Sequence, residues 1–200
     1  MDLPPTGTHL GAQADRSSLV YNFYKENTTF LYPMVMETRL SNGIAGSEFP
    51  GLYFLLGKVF QVTGYNYAIY RVFFFIFFVT GFFSAFYIAK KYLDISAGLL
   101  VALAIFLSPI LTFYSANFLV DMPAFGLSML GWAILLGKRN KKMFVIIAFL
   151  LFGLAGLFKA SYAMHLVVAG SIFILEKRKI KWEVVIAALI STLAIGLWYE

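Results

Sequence analysis

After Tyr67 the chain reads as apolar runs separated by short loops, and no other feature limits its fold so severely. The runs cover residues 68–89, 95–113, 123–137, 143–175 and 184–198. A bilayer core takes about 20 apolar residues of helix, so a run of 22 suits a single span. The run 143–175 is too long for one span and is interrupted by Lys159, which predicts two short helices meeting there. Six membrane helices result, and the predicted fold class is all-α, a polytopic helical bundle. An ordinary soluble domain is ~45–50% apolar with about a quarter of its residues charged. Here the figures are 60% and 13%, too apolar for that class.

The charges say which way such a bundle would face. Ten of the 16 basic residues fall in alternate loops: Lys90 and Lys91; Lys138, Arg139, Lys141 and Lys142; Lys177, Arg178, Lys179 and Lys181. Short loops rich in Lys and Arg stay cytoplasmic, so residues 1–67, the 114–122 loop, the Lys159 turn and the C-terminus are expected outside. The net charge of +6 is thus read as topology, not as a nucleic-acid surface. Cysteine is absent, which excludes disulfides, thiolate metal sites and thiol nucleophiles.

Two parts follow: an extracytoplasmic loop, 1–67, and a transmembrane bundle, 68–200. In the loop, Leu52, Leu55, Leu56, Val59 and Phe60 recur at helical spacing, predicting an amphipathic interfacial helix. Leu19, Val20, Phe23 and Tyr24 suggest another. No signal peptide precedes residue 15, and the chain ends directly after an apolar run. The expectation is a fragment truncated at both ends.

Of the ten acids none lies inside a predicted span, and Asp15, Glu48 and Asp121 all fall on the outer side. Asp2, Glu26 and Glu37 share that side in less suggestive contexts. Each of the three also has an ordinary reading. Asp15 would cap a helix, Glu48 in Ser47-Glu48-Phe49-Pro50 would sit in a helical first turn, and Asp121 would cap the helix after it. Their common side makes them candidates for acid–base chemistry. Oxygen ligands such as Glu48 and Asp121 also suit a hard divalent metal.

Lys159, between two short apolar helices, needs water, a partner or an anion. It reads either as a snorkelling lysine or as a ligand for a phosphate. Arg71, at the outer end of the first span, admits the same two readings. His165 reads as a packed histidine, and Asn27-Thr28-Thr29 is a short glycosylation match that matters only in a secretory pathway.

Taken in order, His9…Gln13-Ala14-Asp15, Asn22-Phe23-Tyr24, Ser47-Glu48-Phe49-Pro50, Tyr114…Asn117-Phe118…Asp121 and Gly156-Leu157-Phe158-Lys159 resemble a known family. It is the bacterial family 39 glycosyltransferases, GT-C membrane enzymes akin to protein O-mannosyltransferases and lipid A aminoarabinose transferases. The resemblance covers about His9 to Lys159. It implies a polyprenyl-phosphate-linked sugar donor, an envelope glycan, lipid or protein acceptor, and an active site at the outer face of a bacterial inner membrane. It also implies Asp15 as catalytic base, Glu48 and Asp121 as the further site acids, and Lys159 beside the lipid phosphate; Arg71, from its place at the outer end of the first span, is expected to assist Lys159 there. No nucleotide cofactor is expected. Where aminoarabinose-using relatives carry Lys-Pro-Pro after the acid, this chain has Phe49-Pro50-Gly51, so the same donor is not implied. Two other classes fit a polytopic chain: a transporter or flippase, for which internal repeats and midplane charges would be the signature, and a non-catalytic assembly subunit.

Overall fold

The structure, a computed structural model, describes residues 3–26, 28–36, 43–44, 48–138, 141–175 and 182–199. Among these the chain is all-helical, with a single isolated bridge between Met34 and Ile44. Two helices, α1 (Leu10–Lys25) and α2 (Gly51–Thr63), precede the apolar part. Then come α3 (Tyr67–Tyr92), α4 (Ile95–Leu107), α5 (Pro109–Ser115), α6 (Asp121–Lys138) and α7 (Lys142–Phe158). A 3-10 turn over Ala160–Ala163 leads to α8 (Met164–Leu175), and α9 is Trp182–Tyr199. Glu37, Ser47, Arg139, Asn27 and the Lys177–Lys181 cluster lie outside the described residues, as does Asp2.

Local chemistry explains where these helices start and stop. Asn66 opens α3 by accepting the amides of Ala68 and Ile69, and Asp94 opens α4 by accepting that of Ala97. The run 95–113, expected as one span, is instead two helices bent by 69°. Pro109 has no N–H to give the ladder and its ring crowds the preceding turn, so the helix stops at Leu107. Ser108 then caps α5 by accepting from Leu111, with Pro109 at the first helical position. The break at Lys159 falls where the sequence puts it, between α7 and the 3-10 turn.

Of the described helices, α3 is long and apolar enough to cross a membrane, and the bent pair α4–α5 would add one more span if it crosses as a unit. At 1.5 Å per residue the 26 residues of α3 extend about 39 Å. Helices α7, α8 with its 3-10 turn, and α9 are apolar but shorter.

The backbone runs α3 against α6, α6 against α7 and α7 against α9. The α3–α6 contact is close because Gly126 faces the α3 backbone: a Cβ there would lie 2.2 Å from the Phe77 carbonyl oxygen. Small residues allow such approach where helices cross. Lys90 and Lys91 end α3 beside the end of α6, where Lys91 Nζ donates to the Gly137 carbonyl at 3.1 Å and Tyr92 Oη to that of Leu136 at 2.9 Å. The bundle therefore has a lysine end and, opposite it, the end that carries α1 and α2.

The core does not stop at residue 67. Leu19, Val20 and Phe23 of α1 and Leu52, Tyr53, Leu56 and Phe60 of α2 share one buried cluster with Tyr70, Phe74, Phe118, Ala124, Ala155 and Phe158. The stripe on α2, expected to lie on a bilayer, is largely turned onto protein, leaving Leu55 exposed. Tyrosine and phenylalanine dominate this cluster because their large areas bury well while hydroxyl groups still reach partners. Apolar side chains face outward along α4 at Leu99, Leu100, Leu103 and Phe106, and along α9 at Leu189, Ile190 and Leu193.

Candidate functional site

Four charged side chains from four separate segments meet at the α1/α2 end. Arg16 on α1 donates from Nε to Glu48 Oε2 at 2.8 Å, a pair whose side chains are 11% and 28% exposed. Lys159, at the C-cap of α7, is hydrogen-bonded to Asp121, the first residue of α6. Tyr53 is fully buried and feels the charges of Glu48, Arg16 and Asp121; burial, followed by the two acids, drives its phenol pKa well above the ordinary value. Burial alone would lower the pKa of Arg16, but bonding to Glu48 and the charges of Tyr53, Glu48 and Asp15 raise it above normal. For Lys159 burial also lowers, and the bond to Asp121 together with the charges of Asp121, Tyr162 and Glu48 raises. Both cations stay charged across the neutral range.

The scaffold of this end explains the motif residues. Gln13 is buried and donates to the carbonyls of Thr6 and Thr8 at 3.2 and 2.8 Å, which ties down the segment before α1. Asn22 donates to the Met34 carbonyl at 2.6 Å, and Asn117 accepts the Leu119 amide at 2.9 Å. Tyr53 and Tyr70 both direct their hydroxyls at the Phe118 carbonyl, 3.4 Å away. These contacts fix where α2, α3 and the start of α6 stand relative to α1.

Asp15 is not a cap. It lies in the sixth position of α1, whose N-cap is His9 in the left-handed region with φ 58°. Among the described residues its carboxylate has no hydrogen bond or ion pair, and its charge helps hold Arg16 protonated. Glu48 is not in a helical first turn either, because α2 begins at Gly51 with Pro50 as N-cap. Its carboxylate is turned to Arg16 instead. Asp121 does open α6, but its carboxylate bonds Lys159 and not the helix's own amides.

Arg71 is not joined to this cluster. Its guanidinium donates to Ala116 O at 2.7 Å, Leu3 O at 3.0 Å and Pro4 O at 3.3 Å, and lies over the Phe118 ring at 4.7 Å. It straps the N-terminal segment to the loop before α6, which occupies the group expected to face a phosphate. His165 is packed as read: Trp132 Nε1 donates to its Nδ1 at 3.0 Å and Phe152 stacks on its ring.

Sequence reasoning missed Arg16. The only signal was its position beside Asp15, and nothing local says that it reaches Glu48, 32 residues away.

No known protein family, curated protein or solved structure matches this chain.

The carboxylates read as metal ligands are each held by a cation. A divalent ion on Glu48 and Asp121 would have to displace Arg16 and Lys159, and among the described residues no group of three histidine or acidic side chains converges. The donor set does not fit a metal as it stands, and no step below is routed through one.

Proposed function

We propose that the chain is a bundle of about six membrane helices that carries the catalytic end of a membrane glycosyltransferase. It would move a sugar from a polyprenyl-phosphate donor to an acceptor hydroxyl at the outer face of a bacterial inner membrane. The observation that carries this reading is the joining of Arg16, Glu48, Asp121 and Lys159 at one end of the bundle, beside Asp15. Outward apolar faces on α4 and α9 support lipid on the flanks. The described Lys90, Lys91, Lys138, Lys141 and Lys142 share the opposite end, as the positive-inside rule would have it.

In the reaction, the acceptor oxygen bonds to the anomeric carbon as the bond from that carbon to the phosphate oxygen breaks. Asp15 takes the acceptor proton, a contribution of about 10²–10⁴-fold. The polyprenyl phosphate leaves with the bonding electron pair. Lys159 gives one of its three ammonium hydrogens to Asp121, so among the described residues two remain for the phosphate oxygen on which charge grows. Asp121 fixes the ammonium in place, and the Arg16–Glu48 pair holds α1, with Asp15 on it, against the segment before α2.

The test is turnover of the purified protein with a polyprenyl-phosphate sugar, comparing wild type with Asp15→Asn. Wild-type release of the lipid phosphate, abolished in Asp15→Asn with donor binding retained, is the expected result. Near-normal turnover of the variant ends the base assignment. No release by wild type under any acceptor condition ends the transfer reading.

A further inference from the structure

Next to α1 lies a cavity of about 370 Å³ walled by Ala14, Ser17, Ser18 and Tyr21 of α1 and by Tyr65 and Tyr67. Three tyrosine rings make its shape. Tyr21 and Tyr65 meet edge-on with centroids 5.6 Å apart, and Tyr65 and Tyr67 at 5.2 Å, so consecutive rings stand nearly at right angles. No charged side chain is among its described lining residues. That composition does not suit a phosphate or carboxylate, which call for a cation or several N–H donors.

Its polar groups are hydroxyls. Ser18 Oγ is committed, donating to the Asp15 carbonyl at 2.7 Å and accepting from the Met36 amide at 3.3 Å. Ser17 Oγ and Tyr65 Oη are 2.6 Å apart and share one hydrogen bond. The Tyr65 hydroxyl also bonds that of Tyr67, so of three hydroxyl hydrogens two are used and one remains, with spare lone pairs, for a further partner. Burial comes first in pushing the Tyr65 pKa up to about 12, with the Ser17 bond opposing it, so the phenol stays a neutral donor.

The cavity's place on α1 bears on the reaction. Successive side chains are set about 100° apart around a helix, so Asp15 stands roughly 60° from Ser18 on one side and 100° from Arg16 on the other. Asp15 therefore lies between Ser18 of the cavity wall and Arg16 on one side of α1, while Ser17 adjoins Arg16 on the other.

We infer that this cavity is the acceptor subsite and that it takes a neutral sugar ring. Aromatic faces accept the C–H groups of a pyranose, and the Ser17–Tyr65–Tyr67 hydroxyl chain bonds one of its hydroxyls. The ring would present another hydroxyl towards Asp15 while the donor approaches from the Lys159 side. The inference rests on the glycosyl-transfer reading for the word acceptor, but sugar binding itself does not.

Saturation-transfer NMR on the intact chain in phosphatidylcholine nanodiscs tests it, with methyl glycosides of neutral hexoses as probes and 1-hexanol as the apolar control. Saturation should reach the sugar ring protons. Ala14→Leu, which fills the cavity, and Tyr21→Leu, which removes a ring, should each weaken binding by about tenfold or more. Tyr65→Phe, which keeps the ring and removes the shared hydroxyl, should weaken it less. No transfer to any glycoside, transfer unaffected by Ala14→Leu and Tyr21→Leu, or binding of 1-hexanol alone would overturn the subsite. Sugar binding without turnover keeps the subsite and removes the transfer reading. Turnover without sugar binding does the reverse.

Discussion

Replacing Arg16 by methionine removes one partner of a pair that spans 32 residues of sequence and joins α1 to the segment before α2. It leaves the Glu48 carboxylate, 28% exposed with Arg16 in place, without that partner near the fully buried Tyr53. Exposed ion pairs contribute about 0–1 kcal/mol, whereas stripping one partner from a buried pair costs about 3–5 kcal/mol. With side chains 11% and 28% exposed, this pair sits between those limits, and a loss of about 2–3 kcal/mol is expected. Glu48→Gln keeps an acceptor oxygen for the guanidinium and should cost about 1–2 kcal/mol. The double variant should then be less destabilised than the sum of the two, with a coupling of about 1–2 kcal/mol. Equilibrium unfolding in mixed SDS–dodecylmaltoside micelles, followed by far-UV circular dichroism, gives the four corners of the cycle. A coupling below about 0.5 kcal/mol would mean that the pair is solvated and does not hold α1 in place.

Lys159→Met should lower turnover and weaken donor affinity together, and Lys159→Arg should recover part of both; unchanged affinity in the methionine variant would make Lys159 an anchor only. In intact cells a cysteine at Val62, 88% exposed on α2, should react with an impermeant thiol reagent, and one at Leu93, 75% exposed past the lysine end of α3, should resist it. Reversed labelling would invert the proposed topology. Raised folded-state pKa values for Lys159 and Tyr65 mean that both contributions are complete below the unfolded values near 10. Stability monitored against pH should therefore be flat from about 6 to 9 with respect to these groups and fall as pH rises through 10 to about 12; a loss centred near pH 8 would contradict that sign.

The helices themselves were legible from residue order, because apolar runs and capping residues act within a few positions of one another. The lysine clusters, the break at Lys159 and the helical stripe of α2 all belong to that class. Pro109 marks the bend between α4 and α5 through a local fact, its missing N–H, but the run 95–113 reads by its length as one span. The partners were not legible. Asp15, Glu48 and Asp121 each had a local reading as part of a helix opening, and the local reading gave the wrong partner for Glu48 and Asp121 and the wrong place for Asp15. Charged side chains bond whatever packing brings near, and packing here depends on α1 and α2 burying aromatic faces against α3, α6 and α7. Composition and residue order therefore determined an apolar, helical chain with its basic residues clustered between the apolar runs. Only the tertiary structure set Arg16 on Glu48 and Lys159 on Asp121, tied Arg71 to backbone carbonyls away from both pairs, and enclosed three tyrosines around a cavity beside Asp15. Those contacts join positions tens of residues apart, and no spacing rule within one helix specifies them.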